Sequence, residues 1–196
     1  MQAVGTHRTG QEMCMPAVTV RPARTADVWT LRSLIDGYSD NRLLLSKPTV
    51  TLFETVPDFV VAETAGPLAS GGTGTSTGTE QRVVGCAAVH VLWEDLAEVR
   101  TLAVDPACRG HGVGRALLDA VLDRARALGV QRLFCLTFAV DFFASAGFVP
   151  IGEGKVVDPV VYEQLLESYD EGVAEFLDLE RVKPNTLGNT RMLRHL

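Results

Sequence analysis

Six consecutive residues, Arg109-Gly110-His111-Gly112-Val113-Gly114, limit what this chain can fold into more than any other stretch. They stand between an apolar, strand-like run at 99–104 and an amphipathic helix pattern at 113–128. A strand, a glycine-rich turn and a helix start, in that order, predict a phosphate cradle. Glycine lets the main chain approach an anion closely, and the unpaired N–H groups and positive dipole end of the helix hold it. A plain strand-to-helix turn also accepts glycine. Three glycines in five residues, however, carry an entropic cost on folding that close approach to a ligand explains better. The spacing is not G-x-G-x-x-G and no Lys-Ser/Thr pair follows. Neither a dinucleotide fingerprint nor a nucleoside-triphosphate loop is therefore expected.

The rest of the chain reads around that turn. Residues 18–21 alternate as a first strand. Thr25 stands as an N-cap with Asp27 in the first turn, before Val28, Leu31, Leu34, Ile35 and Tyr38 at helical spacing. A short helix is expected at 50–56, strands at 59–62, 83–92 and 98–104, and a hairpin turn at 93–97. Gly129 is placed to end the helix at 113–128. The continuous apolar run 133–138 suits a buried parallel strand, so 98–138 reads as a βαβ unit with a right-handed crossover. A short helix at 141–146 and a turn at Gly147-Phe148 lead into another strand, and Pro159 opens a further helix. Segments 174–179 and 191–196 read as strands or an extended C-terminal arm. The expectation is one α+β domain over 17–196, a mixed central sheet with helices on both faces. It follows a loose tail at 1–16, carries a flexible Gly/Ser/Thr loop at 66–80, and ends in a closing segment at 154–196.

Composition excludes several partners. A net charge of −6 disfavours nucleic acid, whose phosphates need a basic surface. No apolar run is long enough to span a bilayer, and residues 1–16 lack the apolar stretch of a signal peptide. The four cysteines, Cys14, Cys86, Cys108 and Cys135, form no C-x-x-C pair. They suit a reducing cytoplasm and imply no disulfide and no metal.

The text Thr101-Leu102-Ala103-Val104-Asp105-Pro106, followed by Arg109 to Gly114 and, downstream, by Phe142-Phe143-Ala144-Ser145-Ala146-Gly147-Phe148, resembles motif A and its sequel in the GNAT superfamily of acetyl-CoA-dependent N-acetyltransferases. The resemblance covers residues 18–152. It implies the GNAT fold and acetyl-CoA as co-substrate. The main chain of Arg109, Gly110, His111, Gly112, Val113 and Gly114 would cradle the pyrophosphate. Leu102, Ala103 and Val104 would pair with the pantetheine arm as a neighbouring strand does. Thr137 would stand on the diverging strand, with Phe142 and Phe143 walling the coenzyme side. Ordinary core packing explains these two phenylalanines equally well. The resemblance also implies Glu98 as the general base that deprotonates the amine; an edge-strand carboxylate facing solvent is the plainer reading. The tyrosine that often protonates the thiolate falls near Phe143, which has no hydroxyl.

Three further segments, 43–48, 90–101 and 182–193, are similar to the acetyltransferase domain of N-acetylglutamate synthases of the short bacterial type. That implies L-glutamate as acceptor, N-acetylglutamate as product and a place in arginine biosynthesis. The kinase-like domain of longer family members has no counterpart in these 196 residues, so arginine control through it is not expected. Two carboxylates on the acceptor want cations. The candidates are Lys47, Arg100 with Thr101, Asn189 and Arg191, with Lys183 a weaker choice and His90 read as a strand-end histidine. Each cation could equally be a solvated surface charge. Glu98 and Arg100 should share one face of their strand and Thr101 the other, unless a bulge re-aims them. Glutamine or a protein N-terminus are alternative acceptors; polyamines and aminoglycosides would want an acidic cleft instead. A coenzyme A-binding module without activity is the non-enzymatic alternative. The apolar C-terminal residues Phe176, Leu177, Leu179, Met192 and Leu193 could build a homodimer sheet or finish the core within one chain.

Overall fold

A computed structural model describes residues 17–39, 47–67, 79–152, 157–177, 179 and 188–196. The tail at 1–16, residues 68–78 of the expected loop, Cys14 and Lys183, and residues 43–46 and 182–187 of the similar segments lie outside it.

Among the described residues seven strands form one sheet in the order β1-β2-β3-β4-β5-β7-β6. They are β1 (Val18–Pro22), β2 (Phe59–Pro67), β3 (Thr79–Trp93), β4 (Leu96–Val104), β5 (Arg132–Thr137), β6 (Val149–Pro150) and β7 (Thr190–His195). Only β4 and β5 run parallel; every other pair is antiparallel. The helices are α1 (Val28–Ser39), α2 (Thr49–Glu54), α3 (Val113–Ala127), α4 (Val140–Ser145), α5 (Pro159–Leu166) and α6 (Glu171–Phe176).

Period-two alternation makes both sheet faces apolar. Val60, Ala62, Ala87 and Val89 pack under Leu117, Val121 and Ala125 of α3, with Phe143 of α4 in the same cluster. The intervening Phe59, Val61, Cys86 and Ala88 point the other way, against Val28, Leu31 and Ile35 of α1. Further along that second face, Leu96 and Phe134 meet Leu165 of α5 and Phe176 of α6. A Cβ at Gly85 would lie 2.9 Å from Leu117 Cδ1, so the glycine lets α3 sit close on β3.

Several boundaries differ from the sequence expectation. Gly66 and Pro67 pair with Glu80 and Thr79, so the ends of the expected loop are ladder. The β3–β4 turn shortens to Glu94 and Asp95, where the Asp95 carboxylate takes two hydrogen bonds from Arg132 at 2.9 and 3.0 Å. Thr25 is not the N-cap. The cap position is Arg24, whose N–H donates to Asp27 Oδ2 at 2.7 Å, while Arg21 grips the same carboxylate. Residues 174–176, expected as strand or extended arm, are helical because the Asp170 side chain accepts from the N–H groups of Gly172 and Val173 and starts α6. Met192 and Leu193 are buried within this chain, so β7 finishes its own core.

Candidate functional site

Pairing between β4 and β5 extends only over Leu96↔Arg132, Ala97↔Leu133 and Glu98↔Phe134. Beyond Glu98 the two strands part. A cavity of about 540 Å³ occupies the fork, lined by Val99, Thr101, Leu102 and Val104 of β4 and by Leu136 and Thr137 of β5. That volume suits a small-molecule ligand. A bulge shapes the β4 wall: Cys86 and Ala88 of β3 oppose Ala103 and Arg100, so β4 carries an extra residue over that step. Thr101 absorbs it at φ 55, a strained conformation for a β-branched residue. Ala103, by contrast, is fully buried against α1 and does not line the cavity.

The expected phosphate turn closes one end of the fork. Gly110 and Gly112 stand at φ 79 and φ 80, where L side chains are strained, and Gly112 is the N-cap of α3. Nothing crowds a Cβ at either position, so backbone conformation accounts for both glycines. Gly114 differs: a Cβ there would meet the Phe142 ring at 3.6 Å. No acidic residue occupies the first turn of α3, which leaves its positive end free for an anion. Arg109, Gly110, Gly112, Gly114, Phe142 and Phe143 all line the cavity. The His111 side chain is exposed and Val113 is core, so these two offer main chain only.

Tyr38, read in the sequence as one more apolar helix position, also reaches the cavity. Its hydroxyl donates to Val104 O at 2.7 Å and accepts from Val104 N at 3.2 Å, while the Arg109 guanidinium stacks 4.9 Å from its ring centroid. Arg115, Cys108 and Phe138 are further lining residues that the sequence reading missed. Cys108 and Arg115 flank the glycine turn, which could have flagged them, while Phe138 directly follows β5 beside the expected Thr137.

On the sheet face of α6, a charge cluster gathers around Glu98, the last β4 residue paired with β5; its side chains are not among those that line the cavity. Glu98 is 6% exposed. Arg100 Nε donates to Glu98 Oε2 at 2.5 Å, its Nη1 donates to Asp170 Oδ2 at 3.0 Å, and Nη2 donates to Asp170 Oδ1. Arg100 thus commits all three nitrogens to carboxylates of the protein, whereas the sequence had aimed it at the acceptor. His90 reaches Asp58 Oδ2 through Nδ1 at 2.8 Å and stands 3.8 Å from Asp170 Oδ2 through Nε2. It is part of this cluster rather than an idle strand-end residue. Gly172 fits against it only because it lacks a Cβ, which would overlap Glu98 Oε2 and Arg100 Nη2.

Burial pushes the Glu98 carboxyl above its ordinary range, with Arg100 pulling it back. Burial opposes the Asp170 charge most strongly of any single influence, but the hydrogen bonds and charge of Arg100, with His90 and the Val173 N–H, together hold that carboxyl below the usual range. Lys47 lies near enough to Arg100, Glu98, Asp170 and Asp58 to feel each of them, and burial pulls its ammonium down. Thr101 lines the cavity, Arg191 donates to Phe176 O at 3.2 Å, and Asn189 Oδ1 is buried without a hydrogen-bond partner among the described residues. The structure therefore brings Lys47, Glu98 and Arg100 together and leaves Arg191 at the C-terminal end of α6. Among the described residues no group of three or more His, Cys, Asp and Glu side chains is placed to hold a metal, and no helix is long and apolar enough to cross a membrane.

The forked sheet with a glycine turn at its mouth is the architecture of an acyl-CoA-using transferase, and this chain belongs to the GNAT acetyltransferase family. The family model described as Acetyltransferase (GNAT) family matches residues 53–148. The chain is 51% identical to an amino-acid acetyltransferase of Mycobacterium tuberculosis over 180 residues, 92% of this chain and 94% of that protein. It superposes with a TM-score of 0.78 on the crystal structure of Rv2747 from Mycobacterium tuberculosis in complex with CoA and NLQ, at 51% identity, covering 91% and 99% of the two chains. A more distant structure is N-acetylglutamate synthase from Neisseria gonorrhoeae with coenzyme A and N-acetyl-glutamate. It shares the fold at a TM-score of 0.65 and 23% identity, over 92% of this chain and 35% of that one.

Proposed function

We propose that this enzyme transfers the acetyl group of acetyl-CoA to the α-amino group of L-glutamate, with Glu98 as general base. One observation carries the reading: the glycine turn lines the cavity in the fork, and Glu98, a buried carboxylate with raised proton affinity, stands at the last β4–β5 pair, from which the fork opens. The names of the relatives, one an amino-acid acetyltransferase and one bound to N-acetyl-glutamate, support an amino-acid acceptor.

The pyrophosphate of the donor lies on the N–H groups of the 109–114 turn, and its pantetheine arm follows β4 along Leu102 to Val104. The acceptor enters from the face of Glu98. Its ammonium gives up a proton to Glu98, directly or through water. The amine lone pair then attacks the thioester carbonyl carbon; the C–N bond forms, the C–S bond breaks, and the second proton of the attacking nitrogen passes, directly or through water, to the departing sulfur, so that the amide is neutral and coenzyme A leaves as the thiol. A base whose proton affinity burial has raised takes that proton more readily than an exposed carboxylate. Lys47 faces an acceptor carboxylate, with Thr101 and Asn189 completing the pocket and Arg191 held apart on Phe176 O. The three buried free cysteines, Cys86, Cys108 and Cys135, agree with a reducing cytoplasm. Through the family resemblance, the product would feed arginine biosynthesis.

Glutamine is the second reading, favoured by the unpartnered Asn189 Oδ1, which would accept from a side-chain amide. Thiol release from acetyl-CoA with a panel of L-glutamate, L-glutamine, a polyamine and a peptide N-terminus tests both. Release with glutamate supports the first reading, release confined to glutamine supports the second, and release confined to the polyamine or peptide removes both.

A further inference from the structure

The acceptor-side cluster contains one charged residue that neither the glycine motif nor the acceptor pocket requires. Asp170 precedes α6, far in sequence from β4. Its Oδ1 accepts from Gly172 N at 2.8 Å and from Val173 N at 3.2 Å, which fixes the carboxylate to the helix start. Its own N–H donates to Ser168 Oγ at 3.1 Å, fixing the main chain as well. From that anchorage both carboxylate oxygens hold the terminal nitrogens of Arg100, in the two-point geometry that orients a planar guanidinium. The remaining nitrogen, Nε, is thereby aimed at Glu98.

Charge arithmetic gives this arrangement a consequence. Glu98 with Arg100 alone would be a neutral ion pair, and a carboxylate so paired is a poor proton acceptor. A second carboxylate on the far side of the guanidinium offsets it, so the triad carries one net negative charge. The other groups facing the triad are Lys47 from the segment before α2, His90 from β3 with Asp58 behind it, and Cys135 from β5. Lys47 favours the charged form of Glu98, and Asp170 disfavours it.

We propose that Asp170 is a positioning residue for acetyl transfer: held by the start of α6, it orients Arg100 and balances its charge, so that Glu98 at the fork stays both placed and basic. The inference rests on the reading of Glu98 as the base. It also accounts for glycine at 172, since any side chain there would push between Asp170's helix and the Glu98–Arg100 pair.

The test separates helix capping from charge. Asp170→Asn and Asp170→Ser both keep a side-chain oxygen suited to an N-cap and remove the charge. Asp170→Glu keeps the charge. Each is compared with the wild type and with Glu98→Gln by measuring kcat/KM for the amino acid from pH 5 to pH 10 at saturating acetyl-CoA, with thermal melts alongside. The proposal expects the acid limb to vanish in Glu98→Gln, to move down by about one pH unit in Asp170→Asn and Asp170→Ser, and to stay near its wild-type position in Asp170→Glu. A limb that vanishes in Glu98→Gln but stays put in both uncharged Asp170 variants overturns the Asp170 proposal alone. A wild-type limb in Glu98→Gln overturns the base assignment and the proposal together. Should Asp170→Asn fail to fold, Asp170→Ser carries the same reading.

Discussion

The two ends of the fork are built on opposite principles. The end proposed for the coenzyme is largely main chain and apolar surface, with Arg109 and Arg115 beside it: left-handed glycines at 110 and 112, the N-terminus of α3, and the rings of Phe142 and Phe143. The end proposed for the acceptor is side-chain charge drawn from β3, β4, the segment before α2 and the segment before α6. Main-chain cradles tolerate side-chain change but not loss of backbone freedom, whereas charge clusters answer to single-atom substitutions. The contrast predicts a clean division of kinetic effects. Changes at the turn alter use of acetyl-CoA, and changes at the cluster alter turnover or use of the amino acid.

The largest effect belongs to Glu98. Glu98→Gln should lower kcat by roughly 10²- to 10⁴-fold, the usual contribution of a general base, with little change in the KM for acetyl-CoA. Next comes Lys47→Ala, which should raise the amino-acid KM by roughly 10- to 100-fold, as loss of a charge-assisted hydrogen bond of about 1.5–3 kcal/mol implies. Equal rises in both KM values would remove Lys47 from the acceptor pocket. Gly112→Val places a β-branched residue at φ 80. The strain of about 1–2 kcal/mol should weaken acetyl-CoA binding by about tenfold while leaving the amino-acid KM unchanged.

The smallest effect lies away from the fork and touches only stability. Asp27 is held by Arg21 at 2.7 Å, and Arg21 also reaches Glu63 at 2.5 Å. The Arg21 hydrogen bonds keep the Asp27 carboxyl below its ordinary value of 3.8 against the cost of burial. A folded-state pKa lowered in this way stabilises the protein above the unfolded value and loses that contribution as pH falls through the folded value. Asp27→Asn should therefore flatten the loss of stability below pH 4, read from urea midpoints at a series of pH values, and leave turnover at neutral pH unaltered.

The same division explains what the sequence could disclose. The turn at 109–114 is contiguous, and its strand–turn–helix setting follows from hydrophobic period, so the glycine turn, the βαβ unit and the mixed sheet were all readable. The bulge at Thr101 was anticipated only as a condition on which way Arg100 would point, and Arg100 turned out to face Glu98 and Asp170. The cluster required long-range placement. Asp170 lies 70 residues from Arg100, and the part of α6 from Ala174 onward was read as strand or extended arm because Ala174 to Leu177 carry no strong period. The local signal that could have corrected both errors was Asp170-x-Gly172, an N-cap aspartate ahead of a short apolar run. Tyr38 was hidden for another reason: at helical spacing a tyrosine passes for core, and only its hydroxyl's two bonds to Val104 show otherwise.

Calorimetric titration of acetyl-CoA into the wild type, Gly112→Val and Glu98→Gln tests the separation of the two ends most directly. Weakened binding in Gly112→Val, beside wild-type affinity in a Glu98→Gln variant that barely turns over, is the predicted pattern. Wild-type affinity in Gly112→Val, or an equal loss of affinity in both variants, would contradict it.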